Sequence, residues 1–269
     1  MKKLFGLFSC SSKQQVPLSC TELDSIWDEF KQNLPEAEQH QLDFRPNIIL
    51  LCDKPLLQQQ LMAQYSKLND YPTRSPISPK WPLYYDGERI MHTPNSATTS
   101  DQHLLGYYQQ RFSRKPVYLT QAVYTEQLLT KDFSHCHFTE QLAQLCDVAT
   151  SALELRVVIM DAEQLPGFAA YQAYCLVAIK QLKLTVTANL SVSMALAPLT
   201  KTISDCLLKC SCEDYLKILK FISYLEQHLS VFHLELRRLC DSHMNMPIVY
   251  YFVSDHPQSA DVSNPLECH

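Results

Sequence analysis

Cysteine and histidine are the side chains in this sequence that could hold a metal or attack a carbonyl, and their spacing decides whether they do. Cys206, Cys210, Cys212, Cys240 and His243 supply the atoms of a zinc site. No C-x-x-C pair occurs, and the first three fall on different faces of any helix, so tetrahedral closure is not encoded. His135-Cys136-His137 is a local cluster with no second ligand pair at a known spacing, and it reads as a loop with an inserted thiol. A Cys–His hydrolase would need its nucleophile in a glycine-bearing context, and no cysteine has one. The eleven cysteines are odd in number, which excludes a complete intramolecular disulfide framework. They read as reduced, buried thiols of a cytosolic protein.

Phosphate chemistry is limited by a different residue. Only four glycines occur, Gly6, Gly87, Gly106 and Gly167. A phosphate-cradling loop needs glycine so that the backbone can approach the anion and aim several N–H groups at it. A chain this poor in glycine has almost nowhere to build one.

The bulk composition sets the frame for these side chains. The 269 residues are 46% hydrophobic and 19% charged, the profile of a globular protein with a sizeable core. A net charge of −5 and the lack of any Lys/Arg cluster leave no basic field for a nucleic acid. The apolar patch from Leu4 to Phe8 is too short for a signal h-region. Beside Lys2 and Lys3 it leaves two readings, a frayed terminus or a weak interfacial anchor. No run reaches the eighteen or so apolar residues of a spanning helix.

The elements that must position any site follow from periodicity. Cys20 lies in a helix expected from Ser19 to Asn33, capped by Thr21, with Leu23, Ile26, Trp27 and Phe30 on one face. Pro35 to Phe44 is polar and reads as a linker. Asn47 to Leu51, Pro116 to Val123 and Leu155 to Met160 are apolar runs with little polar alternation, as in strands buried on both faces of a parallel sheet. Leu83 to Tyr85 and Arg89 to His92 flank Asp86-Gly87 as a hairpin. Helices are expected at about Leu56 to Leu68, Asp101 to Phe112 and Thr139 to Leu153, and after Leu165-Pro166-Gly167-Phe168, with a proline-rich loop from Tyr71 to Pro82. Beyond these, Leu184 to Leu196 fits either strand or helix, Glu213 to Cys240 is a long amphipathic helix with room for one break, and Ile248 to Val253 is a last strand. The alternation of strand and helix predicts an α/β fold with a mostly parallel sheet.

The order of Arg45-Pro46, Tyr84-Tyr85, Pro116 to Leu119, Leu165 to Phe168 with Tyr171, and Tyr251 to Ser254 resembles the cytoplasmic domain of the IcmF (TssM) family of bacterial type VI and type IVB secretion systems, over roughly residues 45 to 255. The resemblance implies a P-loop GTPase-like α/β domain at 45–185, preceded by a tail and helix at 1–44 and followed by a mainly helical extension with a final strand at 186–269.

Against that family pattern the nucleotide residues are missing. Where the phosphate loop belongs, the chain reads Cys52-Asp53-Lys54-Pro55-Leu56-Leu57-Gln58-Gln59. Both glycines are gone, Gln58 replaces the phosphate lysine and Gln59 the magnesium-binding hydroxyl. Asp53 adds negative charge, and Lys54 is the only cation of the loop. The Asp-Thr-Ala-Gly position reads His92-Thr93-Pro94-Asn95. In the base-recognition motif Asp161 replaces the lysine and Glu163 stands at the guanine-reading carboxylate. Backbone cradle, cation, metal ligand and base reader fail together, so no nucleotide, metal or other cofactor and no catalysis are expected.

The resemblance therefore implies a cytoplasmic pseudo-GTPase that acts as a scaffold or adaptor through protein–protein contact, with peripheral contact at the inner membrane left open. A small cytoplasmic domain of the DotU or TssL type is the partner the family suggests. Aromatic segments such as Trp81 to Tyr85 and Tyr107-Tyr108 suit an interface or a core equally. A divergent NTPase, or a secreted effector or chaperone of a type IVB-like system, stands as the alternative.

Overall fold

The computed structural model describes residues 20–51, 83–85, 89–92, 117–130, 152–175, 182–187, 190–206, 208–240 and 246–254. Seven strands form one sheet: β1 (Asn47–Leu51), β2 (Leu83–Tyr85), β3 (Ile90–His92), β4 (Val117–Tyr124), β5 (Ala152–Met160), β6 (Lys183–Val186) and β7 (Ile248–Phe252), in the order β2-β3-β1-β4-β5-β7-β6. Five of them, β3, β1, β4, β5 and β7, run parallel side by side. β2 and β6 pair antiparallel at the two edges. The fold is therefore α/β with a mostly parallel sheet.

Side chains explain this placement. Every residue of β1 and β7 is buried, which matches runs that carry no solvent-facing register. β6 alternates exposed Lys183 and Thr185 with buried Leu184 and Val186, the period-two pattern of a strand wetted on one face. One sheet face, with Ile49, Leu119, Val157, Tyr250 and Phe252, belongs to the larger apolar core. Ile48, Leu50, Met91, Ala122, Val158 and Met160 form a second cluster on the opposite face.

Several helices contribute to the larger core. α1 (Cys20–Gln32) supplies Trp27 and Phe30, whose rings meet edge to face at 5.7 Å. Thr21, the expected cap, lies within the helix. The segment read as a linker contains a helix, α2 (Glu36–Gln41), and a 3-10 turn at Leu42–Phe44. Pro35 sets the entry φ of −53° and Glu36 and Glu38 favour the first turn, while α2 buries no residue. An apolar stripe was therefore missing from the segment, and with it the helical signal.

A short helix, α3 (Thr125–Thr130), follows β4, and α4 (Phe168–Cys175) follows the turn after β5. Leu184 to Leu196 proves to hold both of its alternatives, β6 and then the start of α5 (Val192–Cys206). Residues 152 and 153, expected at the end of a helix, open β5 instead. α6 (Cys212–Leu239) runs unbroken, because no glycine or proline interrupts it and Ser211 caps it by accepting from the Asp214 amide at 3.1 Å. The segment expected as an extension at 186–269 shares the sheet's core: β7 lies between β5 and β6, and Leu196, Ile218, Phe221 and Phe232 join the strand residues. The expected elements at 56–68, 71–82 and 101–112, most of 139–153, the termini and the Asp86-Gly87 turn lie outside the described residues.

Gly167 joins the two halves of this core. Its φ is +83°, and a Cβ there would sit 2.1 Å from the Lys217 carbonyl oxygen on α6. Leu-Pro-Gly-Phe thus lets the turn meet the helix backbone, and Phe168 and Tyr171 then pack on Phe221 at 5.5 and 5.0 Å. Gly167→Ala combines left-handed backbone strain with a backbone clash, and lowers stability by roughly 2–4 kcal/mol. A fall in the urea midpoint measures it, and an unchanged midpoint would show that the turn does not touch α6.

Candidate functional site

In open α/β sheets the ligand crevice lies outside the carboxyl ends of the strands, where the chain switches direction along the sheet. Here the path leads from β1 outward to β3 and β2 and then back across to β4, so the switch lies between β1 and β4. Register sets how high each neighbouring residue stands. Leu51, the last residue of β1, is level with Gln121, and Tyr124 of β4 is level with Met160 of β5. The described ends of β4 and β5 therefore stand about 10 Å beyond the level of Leu51.

The upper rim is held by polar contacts. Thr125, fully buried at the start of α3, has its hydroxyl 2.8 Å from the Met160 carbonyl and 3.0 Å from that of Asp161. The Ala162 amide donates to the Val253 carbonyl at 3.0 Å, which fastens the end of β5 to that of β7. Between these ties Asp161 adopts a left-handed conformation at φ 56°, the one positive φ outside glycine among the described residues. Aspartate tolerates this conformation better than most residues. A 3-10 turn, Ala162–Gln164, follows and carries Glu163 exposed.

Asp161 and Glu163 thus come together on the rim. His92 does not join them. It ends β3 level with Ile49, in the middle of β1, and is buried with Asn47. Its Nε2 is 3.2 Å from Asn47 Oδ1, while Asn47 Nδ2 donates to the Arg45 carbonyl at 3.3 Å. Three strand spacings and six residue rises place His92 roughly 24 Å from Asp161. Cys52, Asp53, Lys54, Gln58 and Gln59 lie outside the described residues.

One buried group beside the crevice went unnoticed in the sequence. Gln121, at the level of Leu51, is fully buried; its Nε2 donates to the Ala122 carbonyl at 2.9 Å, and its Oε1 has no hydrogen-bond partner among the described residues. A polar residue inside an apolar strand run was the available signal.

The residues that could have supplied a zinc site are spread out. Cys210 and Cys212 flank the start of α6 and Cys240 is buried past its end, about 40 Å away along a helix of this length. His243 and the cluster at His135-Cys136-His137 lie outside the described residues, among which no group of three or more potential metal ligands occurs.

The largest ionisation shifts lie elsewhere, at the last turns of α6. Arg237 donates through Nη1 to the Met246 carbonyl at 2.7 Å, through Nη2 to the Val186 carbonyl at 3.0 Å and through Nε to His233 Nε2 at 3.4 Å. An accepting Nε2 leaves the proton on His233 Nδ1, which lies 2.7 Å from the Tyr250 hydroxyl. Burial first, and then the Arg237 guanidinium, hold the imidazole down at about 4. Burial pushes the Tyr250 phenol well above its ordinary value. These groups resemble acid–base machinery, but these hydrogen bonds join them to each other and to the backbone flanking β6 and β7. Arg237 ties the end of β6 and the entry to β7 to α6, which is a structural clasp.

The clasp makes stability depend on pH. Below pH 6.5 the unfolded chain takes up a proton that folded His233 refuses, so stability falls as pH drops from 6.5 towards about 4. Allowing for its partial exposure, the loss is on the order of 2 kcal/mol. His233→Gln flattens this part of the melting temperature against pH curve; parallel curves for the two proteins would remove His233 as the cause.

Comparison with known proteins adds no assignment: no family model, no curated protein and no solved structure matches this chain.

Proposed function

We propose that this chain is a non-catalytic interaction module, a pseudo-GTPase of the IcmF/TssM type that serves a bacterial secretion system as a scaffold or adaptor. The observation that carries this reading is the chemistry of the sequence that leaves β1 at the switch point. Cys52 to Gln59 contains no glycine and has Gln58 and Gln59 in place of the lysine and hydroxyl that a triphosphate with magnesium requires. The rim beside β4 adds Asp161 and Glu163, two carboxylates, where an anionic ligand would need cations or amides. The parallel order of β3, β1, β4 and β5, with Leu-Pro-Gly-Phe following β5 after Asp161 and the 3-10 turn, supports a GTPase-like layout.

A fold whose ligand crevice lacks ligand chemistry still has broad faces for another protein, and the partner proposed is a cytoplasmic domain of the DotU/TssL type. Action at the cytoplasmic side, with peripheral contact at the inner membrane, belongs to the same proposal. Among the described residues no helix is long and apolar enough to cross a membrane.

Two measurements test the proposal. Isothermal titration with GTP and ATP in the presence of magnesium yields no binding tighter than about 100 μM, equivalent to roughly −5.5 kcal/mol. Tighter binding would favour the divergent NTPase. In pull-down from the native cell, the chain retains a secretion-system component; recovery of none, together with delivery of a translocation reporter, would favour a secreted effector.

A further inference from the structure

The outer face of α6 carries apolar residues that the fold leaves in solvent. Leu216 is 57% exposed, Leu219 38%, Val231 36% and Leu234 53%. At 3.6 residues per turn, Leu216, Ser223, Gln227 and Leu234 fall within about 20° of one line along the helix, with Leu219 and Val231 about 60° to either side. Ser223 and Gln227 are also exposed. Opposite this stripe, Leu225 is fully buried at the midpoint of the pattern.

The pattern is symmetric in position. Leu216 and Leu234 lie nine residues to either side of Leu225, Leu219 and Val231 six, and Ser223 and Gln227 two. A helix that meets a second copy of itself antiparallel, about a two-fold axis at Leu225, therefore sets Leu216 against Leu234 and Leu219 beside Val231 at both ends of the contact. Between them Ser223 meets Gln227, a small and a polar side chain at the crossing. The contact spans about 27 Å of helix, with apolar residues at its two ends and the polar Lys220, Ser223 and Gln227 between them.

Charge selects the same orientation. Glu213 and Lys217 lie on one flank at the start of the helix, paired at 2.7 Å, and Glu235 and Arg238 lie on the same flank at its end, also paired at 2.7 Å. A perpendicular two-fold axis keeps each flank on its own side. Antiparallel packing therefore places Glu213 near the second copy's arginine at position 238, and Lys217 near its glutamate at position 235. Parallel packing would carry this flank to the opposite side of the seam in the second copy, and neither pair could form. Opposite charges beside an apolar seam are what fix helix orientation in coiled coils.

We infer that the exposed face of α6 is an isologous interface through which two copies of this chain associate, with the two helices antiparallel and centred on Leu225. The inference stands apart from the pseudo-GTPase reading, since it uses only α6.

Sedimentation of the full chain at tens of micromolar tests it, with three samples: wild type, Leu216→Arg and Leu234→Asp. Wild type sediments at twice 31.0 kDa. Each variant sediments as a monomer with an unchanged circular dichroism spectrum, its association weakened roughly tenfold or more. Mixing the two variants restores a dimer, because one contact then joins the new arginine to the new aspartate and the other keeps the native leucine pair. A monomeric wild type, variants that remain dimeric, or a mixture that stays monomeric would each overturn the inference.

Discussion

The fold depends on burying five parallel strands without leaving any backbone polar group dry. β1 shows the constraint most clearly: all five residues are buried, and its register pairs it with β3 on one side and β4 on the other. An orphaned amide or carbonyl at this depth costs about 1–3 kcal/mol, so complete ladders leave little freedom in register. The antiparallel edge strands differ in kind. β6 can face water because its side chains alternate, and β2 is short, so neither presents a long apolar edge.

Once the sheet is set, the C-terminal third of the chain has to be brought back to it. Gly167 permits the turn after β5 to touch the backbone of α6, the Phe168, Tyr171 and Phe221 rings fill the contact, and Arg237 binds the other end of α6 to the carbonyls of Val186 and Met246. Near the start of the helix, the Tyr174 hydroxyl donates to Asp214 at 3.2 Å, and Ser211 first, with Tyr174 and Lys217, holds that carboxyl below its ordinary value. Buried charge in this core is paired. Arg156 on β5 bonds Glu154 two residues away and lies 4.0 Å from the centre of the Tyr118 ring. Removing one partner of such a pair would cost more than the pair itself contributes.

Much of this architecture was legible in the sequence because it rests on local patterns. Asn47–Leu51, Val117–Tyr124, Leu155–Met160 and Ile248–Phe252 are strands because largely apolar runs of that length suit burial on both faces. α2 was missed because its residues, polar but for Ala37, bury nothing. β6 was ambiguous because four residues are too few to separate a period of two from one of 3.6. The clasp was missed for another reason: His233 and Arg237 share one helix face, but Tyr250 and Val186 lie 17 and 51 residues from their partners. The placement of the candidate site was legible only in part. Asp161 and Glu163 follow β5 as expected, whereas the distance of His92 from them is set by a register in which β3 ends at the level of Ile49, and chain order carries no register.

One sheet unites both ends of the described chain, and β7 pairs with β5 from Leu155–Ile248 to Ile159–Phe252. Amide hydrogen exchange under native conditions tests this directly. The account predicts that amides within β1, β4, β5 and β7 exchange slowest and share a common opening free energy equal to that of global unfolding. Exchange of Ile248–Phe252 through a much cheaper, separate opening would contradict it, because the C-terminal strand would then belong to an appended unit.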